Sequence, residues 1–345
     1  MTKRSFRFAL ALTAVLLGGA WTRLAHAQEP FFKGKTIHIV VGFSAGGGYD
    51  LYARAIARHM GRHIPGNPTI VVENMAGAAS MISANHVYKV AKPDGLTIGH
   101  FIGGLFLQQV LGRQGIEFDA RKFEYLGVPI KDTYCIGLTK ASGITSLESW
   151  LAAKAPVKIG GTAPGSATDD IPAVLQAALG LPLQVVSGYK GTAEIRLAAD
   201  SGEVAGFSTG WESFKSTWRK SLETGDAFIA VQAVAKPHPE LPKVPLAINY
   251  AKTEEAKKLI QVGAHDPGIL ARPFVLPPGT PKDRVQVLRK AFMDIFNDPE
   301  FLVEAKKTNL DIGPLSGEEI AKTVENLFKL EAPVIERLKK ILLPK

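Results

Sequence analysis

Two glycine-rich loops contain the residues of this sequence best suited to chemistry. Gly42 to Asp50 reads Gly-Phe-Ser-Ala-Gly-Gly-Gly-Tyr-Asp, and Gly160 to Thr168 reads Gly-Gly-Thr-Ala-Pro-Gly-Ser-Ala-Thr. Each follows an apolar, β-rich run and precedes a segment of helical period, so each should join the end of a strand to the start of a helix. Successive glycines let backbone N–H groups converge, and the helix dipole favours negative charge at that point, which makes a carboxylate a natural guest. Ser166 and Thr168 add hydroxyls beside the second helix start. The same residues also fit a plain structural role, with glycines making tight turns and Asp50 serving as a helix N-cap.

Other chemistries fit less well. A Walker loop needs Gly-Lys-Ser/Thr at its end, whereas Gly48 is followed by Tyr49 and Asp50, and the spacing Gly-x-Gly-x-x-Gly of a dinucleotide site is absent. Gly42-Phe43-Ser44-Ala45-Gly46 does match the Gly-x-Ser-x-Gly of a hydrolase nucleophile elbow. Ser44 with His238 or His265 would then make an exported serine esterase. That fold requires earlier strands and an upstream oxyanion segment, and only Gln28 to Lys35 separate this strand from the leader described next. His59 and His63 share a helix face without the carboxylate of a His-Glu-x-x-His site, so they read as a solvated helix end. Trp211 and Trp218, seven apart, read as packing, and Cys135 as a buried small hydrophobe. No cofactor, metal-ligand set or catalytic set is expected.

The elements that hold these loops follow from length and composition. The chain has 345 residues, enough for about two domains of roughly 150 residues. Hydrophobic residues make up 46% and charged residues 21%, so a packed core is expected and disorder is not. A lone cysteine excludes an internal disulfide and a cysteine-clustered metal site. Residues 1–27 read as a signal peptide: Lys3, Arg4 and Arg7 precede the apolar run Phe8–Ala20, and Ala25-His26-Ala27 supplies a cleavage site after Ala27. The full chain carries +9; losing Lys3, Arg4, Arg7 and Arg23 from 41 basic residues leaves 37 against 32 acidic, a mild +5. The basic residues are scattered, which gives no nucleic-acid footprint.

After the leader, strand and helix patterns alternate, as in a parallel sheet flanked by helices. The expected order is strand Thr36–Val41, helix Asp50–His63, strand Thr69–Glu73, helix Ser80–Val90 and strand Leu96–Phe101. A second run starts at Tyr134–Leu138, followed by a helix capped by Ser146, strand Val157–Gly160, helix Thr168–Leu179, strand Gln184–Val186, helix Thr192–Asp200, strand Val204–Ser208 and helix Glu212–Lys220. Beyond the proline-rich stretch Pro237–Pro245, a helix from Thr253, a strand Arg272–Leu276 and helices Pro281–Asn297 and Gly317–Leu338 hold too few strands to stand alone. They should return to the first domain. The reading is therefore two α/β lobes joined by two crossings around a cleft: 28–131 as the first part of lobe 1, 132–245 as lobe 2, and 246–345 as the return to lobe 1 with C-terminal helices.

Four motifs in this order resemble the extracytoplasmic solute receptors of the tripartite tricarboxylate transporter family, the Bug or TctC-like proteins: Phe43 to Asp50, Val71-Val72-Glu73-Asn74 with Gly77-Ala78, Pro93-Asp94-Gly95-Leu96-Thr97, and Tyr189-Lys190-Gly191. The likeness spans nearly all of the chain after the leader. It implies a type II periplasmic binding protein fold, a Venus flytrap, that captures a small organic acid between its lobes in the periplasm and delivers it, as a monomer, to membrane permease subunits. It implies ligand contacts from Phe43, Ser44, Ala45, Gly46, Gly47, Gly48, Tyr49 and Asp50, and from Ser166, Ala167, Thr168 and Asp169, with Gly103, Tyr189, Gly191 and Thr192 lining the cleft. A ligand-presenting sensor adaptor would use the same fold. Three departures bear on the ligand: Tyr49 stands where the family commonly has a small hydroxyl residue, Ala79-Ser80 replace a glycine pair, and Asp169-Asp170 put two carboxylates beside an anion site.

Overall fold

The computed structural model describes residues 29–343, so the leader and its cleavage site lie outside the described residues. The chain opens with β1 (Thr36–Val41), α1 (Gly48–Met60), β2 (Thr69–Asn74), α2 (Met81–Lys89), β3 (Thr97–His100), α3 (Gly104–Val110) and β4 (Glu124–Val128). It crosses once to build β5 (Tyr134–Thr139), α4 (Leu147–Leu151), β6 (Val157–Gly160), α5 (Ala167–Leu179), β7 (Leu183–Val186), α6 (Thr192–Asp200), β8 (Gly206–Gly210), α7 (Trp211–Thr217), α8 (Arg219–Thr224) and β9 (Ala227–Gln232). Next come α9 (Glu254–Ile260), a π-helical turn at Gln261–His265 and α10 (Asp266–Ile269). After a second crossing come β10 (Phe274–Leu276), α11 (Lys282–Asp294), α12 (Pro299–Thr308), β11 (Leu315–Ser316), α13 (Gly317–Leu327) and α14 (Ala332–Leu342).

Each lobe is a sheet with helices on both faces. The first sheet has strand order β11-β4-β10-β3-β1-β2 and the second β7-β6-β8-β5-β9. β1 is parallel to β2 and β3, and β6 to β7 and β8, as the alternating pattern requires. The sheets are nevertheless mixed. β5 runs antiparallel to β8 and β9, and β10 antiparallel to β3 and β4, because these strands enter from the other lobe rather than through a crossover helix. Covered faces explain the strand composition: Ile37, Ile39, Val40 and Val41 of β1 are all buried, feeding two apolar layers on opposite sides of one sheet. Ser146 caps α4 in a capping box with Ser149, and Ser166 caps α5.

The return to the first lobe comes later than position 246. Ala247, Leu259, Ile260, Val262 and Ala264 belong to the second lobe's core, where α9 lies on α5, and the chain leaves only at Leu270. The long helix expected over Gly317–Leu338 is two helices. α13 packs on β4 of the first lobe, and α14 crosses back a third time to place Leu338 and Leu342 in the second lobe's core. Three crossings therefore join the lobes where two were expected. β4, α3, β9 and α12 lacked a legible pattern. In α3, Leu105 and Phe106 face the first lobe's core while Leu107, with Leu111 just beyond the helix, faces the second, so the apolar residues do not form the single face a helical pattern needs. The expected capping role of Asp50 is also corrected: α1 begins two residues earlier, after Gly47, and Asp50 sits in its first turn.

If α14 is an integral part of the second lobe, Leu338→Ala should cost about 2–5 kcal/mol of stability, the usual range for a truncated core leucine. Urea unfolding followed by far-UV circular dichroism measures this, and an unchanged midpoint would show the helix to be undocked.

Candidate functional site

The loops of both lobes meet at the C-terminal ends of their strands, the usual place for a ligand in an α/β sheet. They enclose a cavity of about 20 Å³, the room of one water. Phe43, Gly47, Gly48 and Tyr49 line it from the first lobe, with Ser166, Ala167, Thr168 and Thr192 opposite. Ile102, Asp132, Thr162 and Thr209 complete it; sequence reasoning missed these four. The lobes are closed on each other. The Ser44 N–H donates to the Lys190 carbonyl at 3.2 Å, Gln108 Nε2 to Asp170 Oδ2 at 2.9 Å, and Arg113 to the Pro164 carbonyl.

The two helix starts are not equivalent. The first intrahelical bond of α1 runs from the Leu51 N–H to the Gly47 carbonyl, which leaves the N–H groups of Gly48, Tyr49 and Asp50 without acceptors in the helix. Asp50 turns away from the cavity: its carboxylate accepts from the Gly46 N–H, Arg54 Nε and Asn74 Nδ2, each at 2.9 Å. Burial pushes its pKa up, but these three donors outweigh that and hold it below the usual value. On the other side, α5 uses its own acids to satisfy its loop. Asp169 accepts from the Thr162 N–H at 2.7 Å, from Thr168 Oγ1 at 2.8 Å and from Ser187, and Asp170 accepts from the Gly165 N–H at 2.8 Å. Burial raises both carboxyls, Asp170 to about 7.

The remaining expected site residues fall into two groups. Ser44 and Gly191 form the contact between lobes beside the cavity; a Cβ on Gly191 would lie 2.6 Å from Ser44 Oγ. Ala45, Gly46, Gly103, Asp169 and Tyr189 do not line the cavity. Gly46 is exposed with φ +80°, so it shapes the turn. Gly103 backs onto the Leu270 carbonyl, which a Cβ would approach to 1.7 Å. The Tyr189 hydroxyl donates to Glu203. The residues replacing the glycine pair, Ala79 and Ser80, keep left-handed φ values of 51° and 63°, a strain offset where Ser80 Oγ accepts the Ile102 N–H of the cavity wall at 3.0 Å.

Behind the cavity lies a buried charge cluster. Arg272, in the second crossing, pairs through Nε with Asp132 in the first, and its Nη2 donates to Ser213 Oγ of α7 at 2.7 Å. Tyr49 and Tyr52 of α1 place their rings with centroids 4.8 Å from the guanidinium carbon. Glu212 accepts from the Thr133 N–H, and burial with Asp132 nearby pushes it up to about 7. Burial raises Asp132 against the pull of Arg272. The signal for this cluster was an arginine inside the apolar run Leu270 to Leu276, a residue type almost never buried unless paired.

The competing chemistries lose their geometry. Ser44 Oγ is buried without a hydrogen-bond partner, and neither candidate histidine bonds it: His238 Nδ1 accepts from the Glu240 N–H, and His265 lines a groove with Lys131, Gln261 and Asp266. His59 and His63 are not a solvated helix end. They bond Glu304 and Asp298 of the α12 region at 2.7 and 2.8 Å. Glu212, His238 and Asp311 bring one atom each within 4.8 Å of one another, but the Lys215 ammonium already holds Asp311 and Glu240 there. Trp218 packs between Phe207 and Phe214, and Cys135 is buried.

An acid whose folded pKa exceeds its unfolded value favours folding while protonated, and that advantage is lost as pH rises from about 4, the unfolded value, through about 7. Asp170→Asn should therefore gain stability relative to the parent protein between pH 5 and pH 8. Urea midpoints at several pH values would show it, and a pH-independent difference would contradict it.

No family model matches the chain. It is 26% identical to the UPF0065 protein in the gbd 5′ region of Cupriavidus necator over 355 residues, covering 98% of each. The periplasmic binding protein BugD superposes with a TM-score of 0.72 at 22% identity, covering 89% of this chain and 97% of that one. MatC from Rhodopseudomonas palustris, with bound malate, gives 0.69 at 20%, covering 89% and 99%. Sequence resemblance and fold agree, and the chain is a structural relative of the Bug-type periplasmic solute-binding proteins.

Proposed function

We propose that the protein is a periplasmic receptor for a small carboxylate, which it holds between its lobes and hands to the permease of a tripartite transporter. The observation that carries this reading is the start of α1, where Gly48 and Tyr49, whose N–H groups have no helical acceptors, line a cavity between the two lobes. The likeness to MatC, which holds malate, supports the ligand class. Export through a leader cleaved after Ala27 and action as a monomer belong to the same reading. An esterase is disfavoured because Ser44 Oγ has no base in reach.

The closed cavity is far smaller than the roughly 300 Å³ at which ligand pockets begin, so a diacid must hold the lobes further apart than they stand here. Tyr49 cannot yield the space by rotating, since its hydroxyl is bonded to the Ala271 carbonyl and its ring is packed between Phe43 and His100. Entry and release are thus hinge motions.

A thermal-shift screen of malate, succinate, adipate and aromatic acids tests the reading, because a ligand at 100 times its Kd adds about 2.7 kcal/mol to stability. A panel without any shift would refute it. Gly47→Val should weaken the binding found by about 5- to 150-fold while leaving the fold intact, because overpacking costs about 1–3 kcal/mol. Gly47 has an extended φ of −84°, open to any residue, and its Cβ would stand 3.1 Å from Thr192 Oγ1 across the cleft. Unchanged affinity by calorimetry would remove this loop from the site.

A further inference from the structure

We infer that Arg272 is the charged anchor of the cleft, presenting Nη1 to a carboxylate oxygen of the ligand at the N-terminus of α1. The inference rests on the receptor reading above and adds to it a side chain that neither glycine loop supplies. Arg272 is fully buried, and its donors are unequally used. Nε goes to Asp132 and Nη2 to Ser213 Oγ, while Nη1 has no partner. An unsatisfied, charged N–H in a protein interior carries the full desolvation penalty of that group, which a bound anion would remove.

Position gives Nη1 its target. Gly48 is the first residue of α1 and lines the cavity, and a Cβ there would lie 3.4 Å from Nη1. In the closed lobes Ser213 Oγ of α7 fills this spot, 2.1 Å from the same Cβ, so the gap between the guanidinium and the free helix N–H groups opens only as the lobes separate to admit the ligand. Asp132, which also lines the cavity, cancels the charge on the Nε side only; the positive end of the α1 dipole adds to the potential on the Nη1 side. The tyrosine rings fix the guanidinium beside this turn, so a carboxylate would meet a pre-oriented donor. Because Arg272 lies in the second crossing, pairs with the first and touches α7, an anion on Nη1 also sits between the two lobes.

The test uses the double variant Arg272→Gln with Asp132→Asn, which removes the charge pair without leaving either charge buried alone. Calorimetry with malate, succinate and adipate, and with their monoamides, is run on the full chain alongside the parent protein. Diacid affinity should fall about 10- to 100-fold in the variant, the worth of a hydrogen bond to a charged group. A folded variant that binds the diacids as tightly as the parent overturns the assignment of Arg272 alone. A parent protein that binds no acid overturns the receptor reading and this subsite with it. Should the variant fail to fold, parent protein labelled with 15N at arginine side chains decides the matter: the buried, slowly rotating Arg272 guanidinium resonances shift on saturation with the tightest diacid, and unmoved resonances overturn the proposal.

Discussion

The ion pair between Arg272 and Asp132 ties together two of the three chain segments that cross between the lobes. Each partner sits in a different crossing, and backbone bonds run beside the pair, from the Asp132 N–H to the Gly268 carbonyl at 3.0 Å and from the Gly103 N–H to the Ala271 carbonyl at 3.3 Å. Burying two charges is expensive, and such a pair is worth keeping only where its geometry is complete and its removal would strand a charge. Here the guanidinium also touches α1 of one lobe and α7 of the other, so the cluster sets how closely the helices can approach when the cleft is shut.

That constraint accounts for the small residues around it. A Cβ on Gly48 would come within 2.1 Å of Ser213 Oγ, and one on Gly210 within 2.8 Å of both the Asp132 and Glu212 carboxyl groups. The glycine-rich loop after β1 therefore does two jobs that composition alone cannot separate. Gly46 supplies a left-handed turn, while Gly47 and Gly48 supply clearance for the opposite lobe. The acids of α5 resolve in the same terms. Two carboxylates beside the proposed anion site are contradictory by charge counting alone, yet Asp169 and Asp170 are turned onto their own loop's N–H groups.

The parts of the architecture that were legible in the sequence are those governed by local periodicity. β1, α5 and α6 fall within a residue or two of their expected bounds because a short β-branched run defines the first and an apolar face of helical period each of the others. The first lobe's glycine loop was equally legible as a strand-to-helix connection, since strand, glycines and helix start are contiguous. What escaped was set by contacts distant in sequence. α3 shares its side chains between two cores, α14 belongs to a lobe the chain had already left, and Asp132 and Arg272 meet across 140 positions. A single charged residue in an apolar run announces that a partner exists but not where it lies.

The same distinction bears on how ligand chemistry is encoded. Backbone N–H groups at a helix start accept any anion of suitable size, so they fix a class and little more. Discrimination needs side chains whose own partners hold them still. Phe43, Tyr49 and His100 form a stack continued by Phe274, with His100 lying 4.0 Å from Phe274 between ring centroids and kept neutral by burial that pushes its pKa down to about 3. Within this column the Tyr49 hydroxyl donates to the Ala271 carbonyl, one residue before the guanidinium. The wall at Tyr49 is thus rigid and apolar on one side and charged on the other. On the proposed reading the acid end of the ligand belongs toward Arg272 and its apolar atoms along the Tyr49 ring, because a charge placed along that wall would be desolvated without a partner.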